Sequence, residues 1–548
     1  MKLTSEMHRV LALINAALMK GDESALAAAF DGVDLTQLLS QETIAVTRAL
    51  DKKPMTLLLC TLAEQNDIEK IRARYWLDCY QSIVNRSLSE SLINLSNNNI
   101  IKFVVSALSS RIQINQQTLS GKKLKGNPQA WQDALELLID NKYWPSAYEL
   151  LKHLGKKSED TEIWLQISKS LSHRHPIYVD ESGQAQVDVD YKILAKIYAM
   201  CADAARNAKV IPVQKALMQL AASALETGGD YSHAIELLNE LDLGKKSLSI
   251  QLDLARCFCK KNQYLKSLEK LDRVLDVFVN SQNADELTSN KDLGSDRPND
   301  DAEKASFDIG KASQALSDLS LMANEKETPV FLVSGTLLGY VREGQLLSHD
   351  KDIDVGIVGW ENQYKLCMAL QESGLFTVSA QYLKGKDTFY IPIKHNLTGM
   401  WIDIFVYHEI QGHWVTGVDF FFGYRQTFAF TPFTLKSVQF LGVEMNVPEN
   451  SELNLTENYG NWQKPDSGYI SHLESPSTMD KGGLQYMITA RLTLISACIK
   501  KQNSKVEKIL KLLSDCGPLP GAMNPVLMQK ISSNILKKSE PLQEICHA

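Results

Sequence analysis

The chain has 548 residues, more than one hydrophobic core usually organises, so two or more domains are expected. Hydrophobic residues make up 44% and charged residues 22%, which is typical of a folded globular protein. The formal net charge of -7 excludes a general electrostatic attraction to nucleic acid or anionic lipid. The nine cysteines are scattered and odd in number, which fits neither a disulfide framework nor paired zinc knuckles. These features favour a cytoplasmic protein, with peripheral attachment to the inner face of a membrane left open.

Targeting and membrane signals are sparse in the sequence. Nowhere do about 18 apolar residues run together, so no transmembrane segment is predicted. The apolar stretch from Val10 to Met19 is interrupted by Asn15, and no small-residue cleavage site follows it. We therefore expect an amphipathic first helix and not a signal peptide.

Residues 1–278 have the apolar periodicity of α-helices, which predicts an all-α N-terminal domain. Segments beginning at Trp144, Tyr231 and Tyr264 share apolar residues at i+4 and i+7, and the last two lie 33 residues apart. Two helices joined by a short polar turn, at a period of about 34 residues, resemble the tetratricopeptide repeat. We expect stacked helical repeats with core aromatics, and irregular helical hairpins before residue 130. Such a stack would offer a surface for a protein partner or for self-association.

Residues 279–301 lack apolar periodicity and are rich in Asn, Asp and Ser, which predicts a linker. An α+β domain is predicted over residues 302–515, followed by a C-terminal tail over residues 516–548. Its helices are expected near Ala302–Ala323 and Leu484–Leu513. Its β-type runs are Val330–Val333, Asp354–Val358, Thr388–Lys394, Ile402–Tyr407 and Val443–Val447.

The first β run of this domain ends at a glycine-containing turn formed by Ser334, Gly335 and Thr336. Glycine lets a backbone approach a ligand closely, and a turn of this kind can present amides to a phosphate. The sequence therefore predicts a phosphate-binding turn at the end of the strand.

Three aspartates follow this turn in strand-like surroundings. Asp352 and Asp354 are spaced i, i+2, which puts both carboxylates on one face of a strand, and Asp403 lies in the apolar run MWIDIFVY. Carboxylates about 4 Å apart repel by a few kcal/mol at an effective dielectric near 20, so a preformed cluster implies a counter-cation. Hard oxygen ligands beside a phosphate favour Mg²⁺ or Mn²⁺. An isolated Asp-x-Asp pair would suit a solvated turn equally well, but the glycine turn, the strand pair and the distant strand aspartate together indicate a nucleotidyltransferase fold.

The segment SGTLLGYVREGQLLSHDKDIDVGI is similar to the core motif of the LicD and fukutin family of choline-phosphate and polyol-phosphate transferases. The segments WIDIFVYH, FTPFTLKSVQFLGVEMNVPEN and YGNWQKP follow in the order seen in that family. The resemblance covers about residues 302–500 and nothing before them. It implies a nucleotidyltransferase fold and the transfer of a phosphorylated alcohol from a CDP-activated donor to a glycan hydroxyl.

The same resemblance implies roles for single residues. Asp352, Asp354 and Asp403 would bind the metal, and Asp403 would also be a candidate general base for the acceptor hydroxyl. Where bacterial members commonly read W-D-D-D-I-D, this chain has Lys351 in the middle of HDKDID, a departure that resembles the less acidic fukutin branch and leaves the metal pair intact.

Donor binding is assigned by resemblance to the turn residues Ser334, Gly335 and Thr336 and to Arg342. A planar guanidinium suits a phosphate clamp, and a surface ion pair is the alternative role of Arg342. Three histidines follow the β runs near the third aspartate, and we expect structural or surface roles for them: His395, His408 and His413.

The activity implied by the resemblance is transfer of phosphocholine, ribitol phosphate or glycerol phosphate to a surface glycan, with release of CMP. Capsule or cell-surface polysaccharide biosynthesis would be its setting. Two alternatives stay open: an NTP-dependent nucleotidyltransferase acting on a small molecule or protein, and a non-catalytic helical-repeat scaffold.

Overall fold

A computed structural model describes residues 5–20, 28–29, 33, 35–40, 99–109, 111–126, 128–140, 142–155, 163–164, 167–168, 171, 177–179, 182–187, 189–242, 247–280, 308–347, 352–466 and 468–539. The predicted linker lies outside these residues from position 281 onward. So do most of residues 1–98 and the segment 348–351, which includes Lys351.

The described helices are, in chain order, α1 (Ser5–Lys20), α2 (Leu35–Leu38), α3 (Asn99–Ser109), α4 (Gln116–Leu119), α5 (Pro128–Asp140), α6 (Trp144–Gly155), α7 (Tyr191–Asn207), α8 (Ile211–Thr227), α9 (Tyr231–Leu241), α10 (Leu248–Lys260), α11 (Tyr264–Asn280), α12 (Ile309–Glu325), α13 (Ser334–Glu343), α14 (Trp360–Ser373), α15 (Ser451–Tyr459), α16 (Ser471–Glu474), α17 (Leu484–Ile499), α18 (Asn503–Asp515) and α19 (Pro525–Ser539). The strands are β1 (Ile177–Val179), β2 (Ala185–Val187), β3 (Val330–Leu332), β4 (Asp352–Val358), β5 (Phe376–Val378), β6 (Tyr390–His395), β7 (Trp401–Ile410), β8 (His413–Phe420), β9 (Tyr424–Phe430), β10 (Leu435–Phe440) and β11 (Val443–Pro448). Within the described residues, none of the helices is long and apolar enough to cross a bilayer.

The described part of the N-terminal half is helical with one exception. β1 pairs with β2 in an antiparallel hairpin in which Ile177 lies opposite Val187, so the prediction of an all-α region was wrong for this segment. β1 reads Ile-Tyr-Val, apolar and polar residues alternate along β2, and Gly183 adopts a positive φ of 74° between the two strands. β-Branched and aromatic residues, alternation and a glycine turn suit two short strands better than a helix.

The aromatic residues singled out in the N-terminal half mark helix starts. Helices α6, α9 and α11 begin at Trp144, Tyr231 and Tyr264, respectively. Helices α10 and α11 pack against each other across a turn in which Asn262 has a φ of 58°. Helical hairpins are therefore present, and their assignment as tetratricopeptide repeats stays a prediction.

The chain forms two compact units. The first comprises residues 1–228, 365–385 and 393–400, and the second comprises residues 229–364, 386–392 and 401–548. The first unit is mostly helical and also contains the pairing of Phe376 in β5 with His395 in β6. The second unit contains the strands that carry the three aspartates.

The sheet of the second unit is mixed, as the α+β prediction requires. Its strands follow the order β10-β11-β3-β4-β7, with β8 and β9 continuing from the end of β7 as antiparallel partners. β4 runs parallel to β7 and antiparallel to β3, while β11 runs parallel to β3. The carboxylate-bearing strand β4 is therefore flanked on both sides, which fixes its position in the sheet.

Helices α10 and α11 share one hydrophobic core with α17, α18 and α19. The Arg491 side chain is 0% exposed within it, and its Nε donates a hydrogen bond of 2.6 Å to Asp272 Oδ1. A second guanidinium nitrogen donates to the Gly521 carbonyl at 2.9 Å. Burial raises the pKa of Asp272, and the adjacent guanidinium opposes that rise. An ion pair between a fully buried guanidinium and a half-buried carboxylate thus joins helices that are more than two hundred residues apart in the sequence.

Candidate active site

The three predicted metal ligands lie on one face of the sheet. Asp354 on β4 and Asp403 on β7 are register neighbours, and Asp352 lies opposite Trp401. Paired residues of parallel strands point to the same face, and such strands lie about 4.8 Å apart. Asp352 and Asp354 are half-buried, and Asp403 is 7% exposed. The three aspartates therefore share one sheet face at the beginnings of β4 and β7.

The opposite face of these strands explains why they hold this orientation. Ile353, Val355, Ile402 and Ile404 alternate with the aspartates, and each is 0% exposed. A shift of either strand by one residue would expose these side chains and bury the acids. Hydrophobic alternation therefore sets which face carries the carboxylates.

The turn after β3 holds the Asp354 carboxylate. The Gly335 amide, in the first turn of α13, donates a hydrogen bond of 3.0 Å to Asp354 Oδ2. The Asp354 amide in turn donates to the Thr336 hydroxyl at 2.8 Å, and Thr336 is fully buried. Ser334 has a φ of 46°, an uncommon conformation for a residue other than glycine. In this structure the turn orients a carboxylate at a helix N-terminus, and its contact with donor phosphates stays a prediction.

A phenylalanine ring covers β4 immediately beyond the carboxylates. Gly356 lies opposite Phe331, and a Cβ at this glycine would stand 2.4 Å from a ring carbon of Phe331. Gly356 shares the face of Asp354, two residues away, because side chains alternate along a strand. The ring of Phe331 therefore borders the three aspartates on one side, and it can lie there only because residue 356 has no side chain.

Replacing Gly356 with alanine should lower the free energy of unfolding by about 1–3 kcal/mol, because the methyl group would displace the ring. Chemical denaturation followed by circular dichroism would measure it. Gly310→Ala, in α12, is the control, and it should be neutral or stabilising by up to about 1 kcal/mol. Equal stability of both variants would mean that the ring does not press on β4.

The ring over Gly356 belongs to an aromatic cluster formed by Phe331, Tyr407, Phe430, Phe433 and Trp414. The ring centroids of Phe331 and Phe433 are 5.4 Å apart, and those of Tyr407 and Phe433 are 5.8 Å apart. Burial raises the pKa of Tyr407, and the negative charge of Asp354 raises it further. These aromatics were not singled out from the sequence, although Tyr407 has the same strand parity as Asp403 and so had to share its face.

Arg342 lies in the last turn of α13. Its guanidinium donates to the Trp462 carbonyl at 3.4 Å and forms an ion pair with Glu343 at 3.0 Å. Trp462 is 8% exposed, and its indole nitrogen donates to the Thr456 hydroxyl at 3.1 Å. Arg342 therefore holds the YGNW segment here, and its role as a phosphate clamp stays a prediction.

The three histidines have structural or surface surroundings. His395 is fully buried and bonded through Nδ1 to the Thr398 hydroxyl at 2.8 Å. His408 donates from Nε2 to the Thr388 carbonyl at 2.7 Å, and its odd spacing from Asp403 places it on the other face of β7. His413 is exposed.

The chemistry of the donor set fits a hard divalent cation. In the present arrangement, the described residues include no group of three or more His, Cys, Asp or Glu side chains already gathered as ligands of one ion. The donors on this sheet face are nevertheless all carboxylate oxygens, from Asp352, Asp354 and Asp403. Asp354 and Asp403 are register neighbours. Such donors suit Mg²⁺ or Mn²⁺ better than softer metals.

A mixed sheet with carboxylates on adjacent strands beside a strand-to-helix turn is the arrangement of a nucleotidyltransferase domain. Residues 327–450 match the family described as LicD/FKTN/FKRP, nucleotidyltransferase domain, and this range runs from before β3 to beyond β11. The resemblance that the motifs predicted is thus confirmed over these residues.

Three relatives are similar to the chain over 156 residues. They are the ribitol-5-phosphate transferase FKTN of Mus musculus, at 28% identity, of Macaca fascicularis, at 27%, and of Homo sapiens, at 26%. The aligned segment covers 28% of this chain and 32% or 33% of each relative. The chain thus matches about a third of the length of these relatives.

Proposed function

We propose that this chain is a metal-dependent phosphotransferase that moves a phosphorylated alcohol from a CDP-activated donor to a glycan hydroxyl. The observation that carries the proposal is the register of Asp354 with Asp403, with Asp352 on the same face, inside a segment of the LicD family. The similar relatives are named ribitol-5-phosphate transferases, so ribitol phosphate is the first candidate group. Phosphocholine and glycerol phosphate are the others.

In the proposed reaction, the acceptor hydroxyl oxygen bonds to the phosphorus that carries the alcohol. The phosphoanhydride bond to the cytidine phosphate breaks, and CMP leaves with the bonding electron pair. A bound Mg²⁺ or Mn²⁺ would neutralise negative charge on the transferring phosphate. Asp352 and Asp354 would hold this ion, and Asp403 would accept the proton from the acceptor hydroxyl. The Gly335 amide keeps the Asp354 carboxylate in place before substrate arrives.

The helical N-terminal half is proposed to serve recruitment. Stacked helical hairpins present extended surfaces, and such surfaces commonly bind other proteins or further copies of the same chain. These helices would recruit the acceptor glycan or a protein that carries it.

The test is product analysis with the purified full chain. CDP-ribitol, CDP-choline and CDP-glycerol would be supplied with a glycan acceptor and Mg²⁺ or Mn²⁺, in parallel with ATP and the other NTPs. CMP release that requires both metal and acceptor is the expected result, and EDTA should stop it. Pyrophosphate release from an NTP would instead establish nucleotidyl transfer. The absence of both products with every donor would favour the scaffold alternative.

A further inference from the structure

A cavity of about 440 Å³ lies beside the aromatic cluster. Its apolar walls include the rings of Trp414 and Phe433. Its polar walls include Glu449, Asn450, Asn454 and Glu457. A volume of this size suits a small molecule or one to two units of a larger one.

One face of α15 forms much of this lining. Asn454 and Glu457 lie three residues apart on one side of the helix with Leu453, and Asn450 is the N-cap residue that precedes the helix. A helix face with this spacing is usually apolar where it packs on protein. Here it carries two amides and a carboxylate, so the helix presents hydrogen-bonding groups to the cavity.

The carboxylates of the lining are fixed before any ligand binds. Both oxygens of Glu457 accept the Thr431 amide at 3.2 Å, and one also accepts the Thr431 hydroxyl. Glu449 accepts the Thr434 hydroxyl. Asn454 is 4% exposed, and its Nδ2 has no hydrogen-bond acceptor among the residues that the structure describes. The cavity therefore combines oriented acceptors with an amide donor whose hydrogen bond is not made within the described chain.

The cavity lies on the face of the sheet that bears the carboxylates. The ring of Phe433 in its wall is 5.4 Å from that of Phe331, which covers Gly356. Gly356 is two residues beyond Asp354 on β4, a distance of roughly 7 Å at the usual rise of a strand. A ligand of several linked units could therefore occupy the cavity with one unit while another reaches the carboxylates.

We propose that this cavity binds a neutral saccharide unit of the acceptor glycan, an inference whose acceptor role rests on the proposed function. The flat faces of Trp414 and Phe433 match the apolar C–H face of a sugar ring, while carboxylates and amides match its hydroxyls. The negative charges of Glu449 and Glu457 oppose binding of the phosphates of a CDP-linked donor. The charge of the lining thus selects the hydroxyl-rich substrate over the anionic one.

Binding of the donor-free full chain to an array of neutral oligosaccharides tests this site. The strongest ligand on the array would then be titrated in solution, with tryptophan fluorescence as the readout. Glu457→Gln and Trp414→Ala should each weaken binding of this oligosaccharide at least tenfold. Binding to Trp414→Ala, which lacks the tryptophan of the cavity, would be measured by calorimetry. Glu452→Gln removes an exposed carboxylate from the same helix outside the cavity and should leave binding unchanged. The unfolding midpoint of each variant would show whether it is folded. If Trp414→Ala does not fold, the Glu457→Gln variant alone tests the site.

The outcomes separate this inference from the proposed function. Failure of the wild-type chain to bind any neutral oligosaccharide would overturn the saccharide site, even if CMP release from a CDP-alcohol persisted. Unaltered saccharide binding by folded Glu457→Gln and Trp414→Ala would overturn it as well. Saccharide binding that depends on these residues, without CMP release from any donor, would support the site and count against the phosphotransferase.

Discussion

The Asp403→Asn substitution is expected to lower kcat for CMP release by about 10²- to 10⁴-fold, the range that a general base contributes. Asp403 is the register neighbour of Asp354, and its amide replacement can neither accept the acceptor proton nor balance the charge of a divalent ion. Asp354→Asn should produce a comparable loss because it weakens the proposed metal site. Steady-state CMP release at saturating donor and MgCl₂ measures both effects.

Glu409→Gln is the matched control, because Glu409 is an exposed acid on the same strand. It should retain wild-type kcat. A second readout does not depend on turnover: MgCl₂ should raise the Tm of the wild-type chain by preferential binding to the folded state, and less so for the two aspartate variants. Neighbouring carboxylates repel each other, so Asp403→Asn should not be less stable than wild type without metal. Wild-type kcat in Asp403→Asn would remove this residue from the mechanism.

Asp272→Ala is expected to reduce the free energy of unfolding by about 3–5 kcal/mol, as for other buried ion pairs that lose one partner. The Arg491 guanidinium is 0% exposed and would remain charged in the core without its carboxylate. Equilibrium unfolding in urea, followed by tryptophan fluorescence, gives the value.

The neighbouring pair Lys530 and Asp276 provides the comparison. Both side chains are 47% exposed, and their 3.1 Å contact should contribute at most about 1 kcal/mol, so Asp276→Ala is expected to be mild. The double variant Asp272→Ala with Arg491→Met should be more stable than Asp272→Ala alone, since an apolar side chain replaces the stranded charge. Losses of similar small size at positions 272 and 276 would contradict a structural role for the buried pair.

The strands that sequence patterns predicted are those with strong β-branched runs, such as β4 and β7. Strands β8, β9 and β10 were missed because polar residues interrupt their apolar runs. The glycines at positions 412 and 442 were a usable sequence signal for the two-residue turns that join these strands. In the structure Gln411 and Gly412 both have positive φ, as do Leu441 and Gly442, which is typical of two-residue hairpin turns. Gln and Leu are unusual at the first of these positions, where Asn or Asp is common. The predicted helical region 484–513 is two helices, because Lys501 turns the chain with a φ of 54°.

The candidate site was partly readable from the sequence. Parity within a strand predicted that Asp352 and Asp354 share a face, and the isoleucines beside Asp403 predicted a buried strand. Their register could not be predicted, because the parallel pairing of β4 with β7 joins segments about fifty residues apart and depends on the whole sheet. For the same reason, the hydrogen bond from the Gly335 amide to the Asp354 carboxylate could not be predicted from the sequence.

The joining of Asp272 to Arg491 has a consequence for synthesis of the chain on the ribosome. The two residues are 219 positions apart, so α11 emerges long before its partner helix exists. At typical elongation rates of about 5–20 residues per second, α17 is synthesised roughly 10–40 s after α11, and until then α17 cannot cover the apolar side of α11. Because the apolar side of α11 is exposed during that interval, we expect holdase chaperones to raise the yield of folded protein.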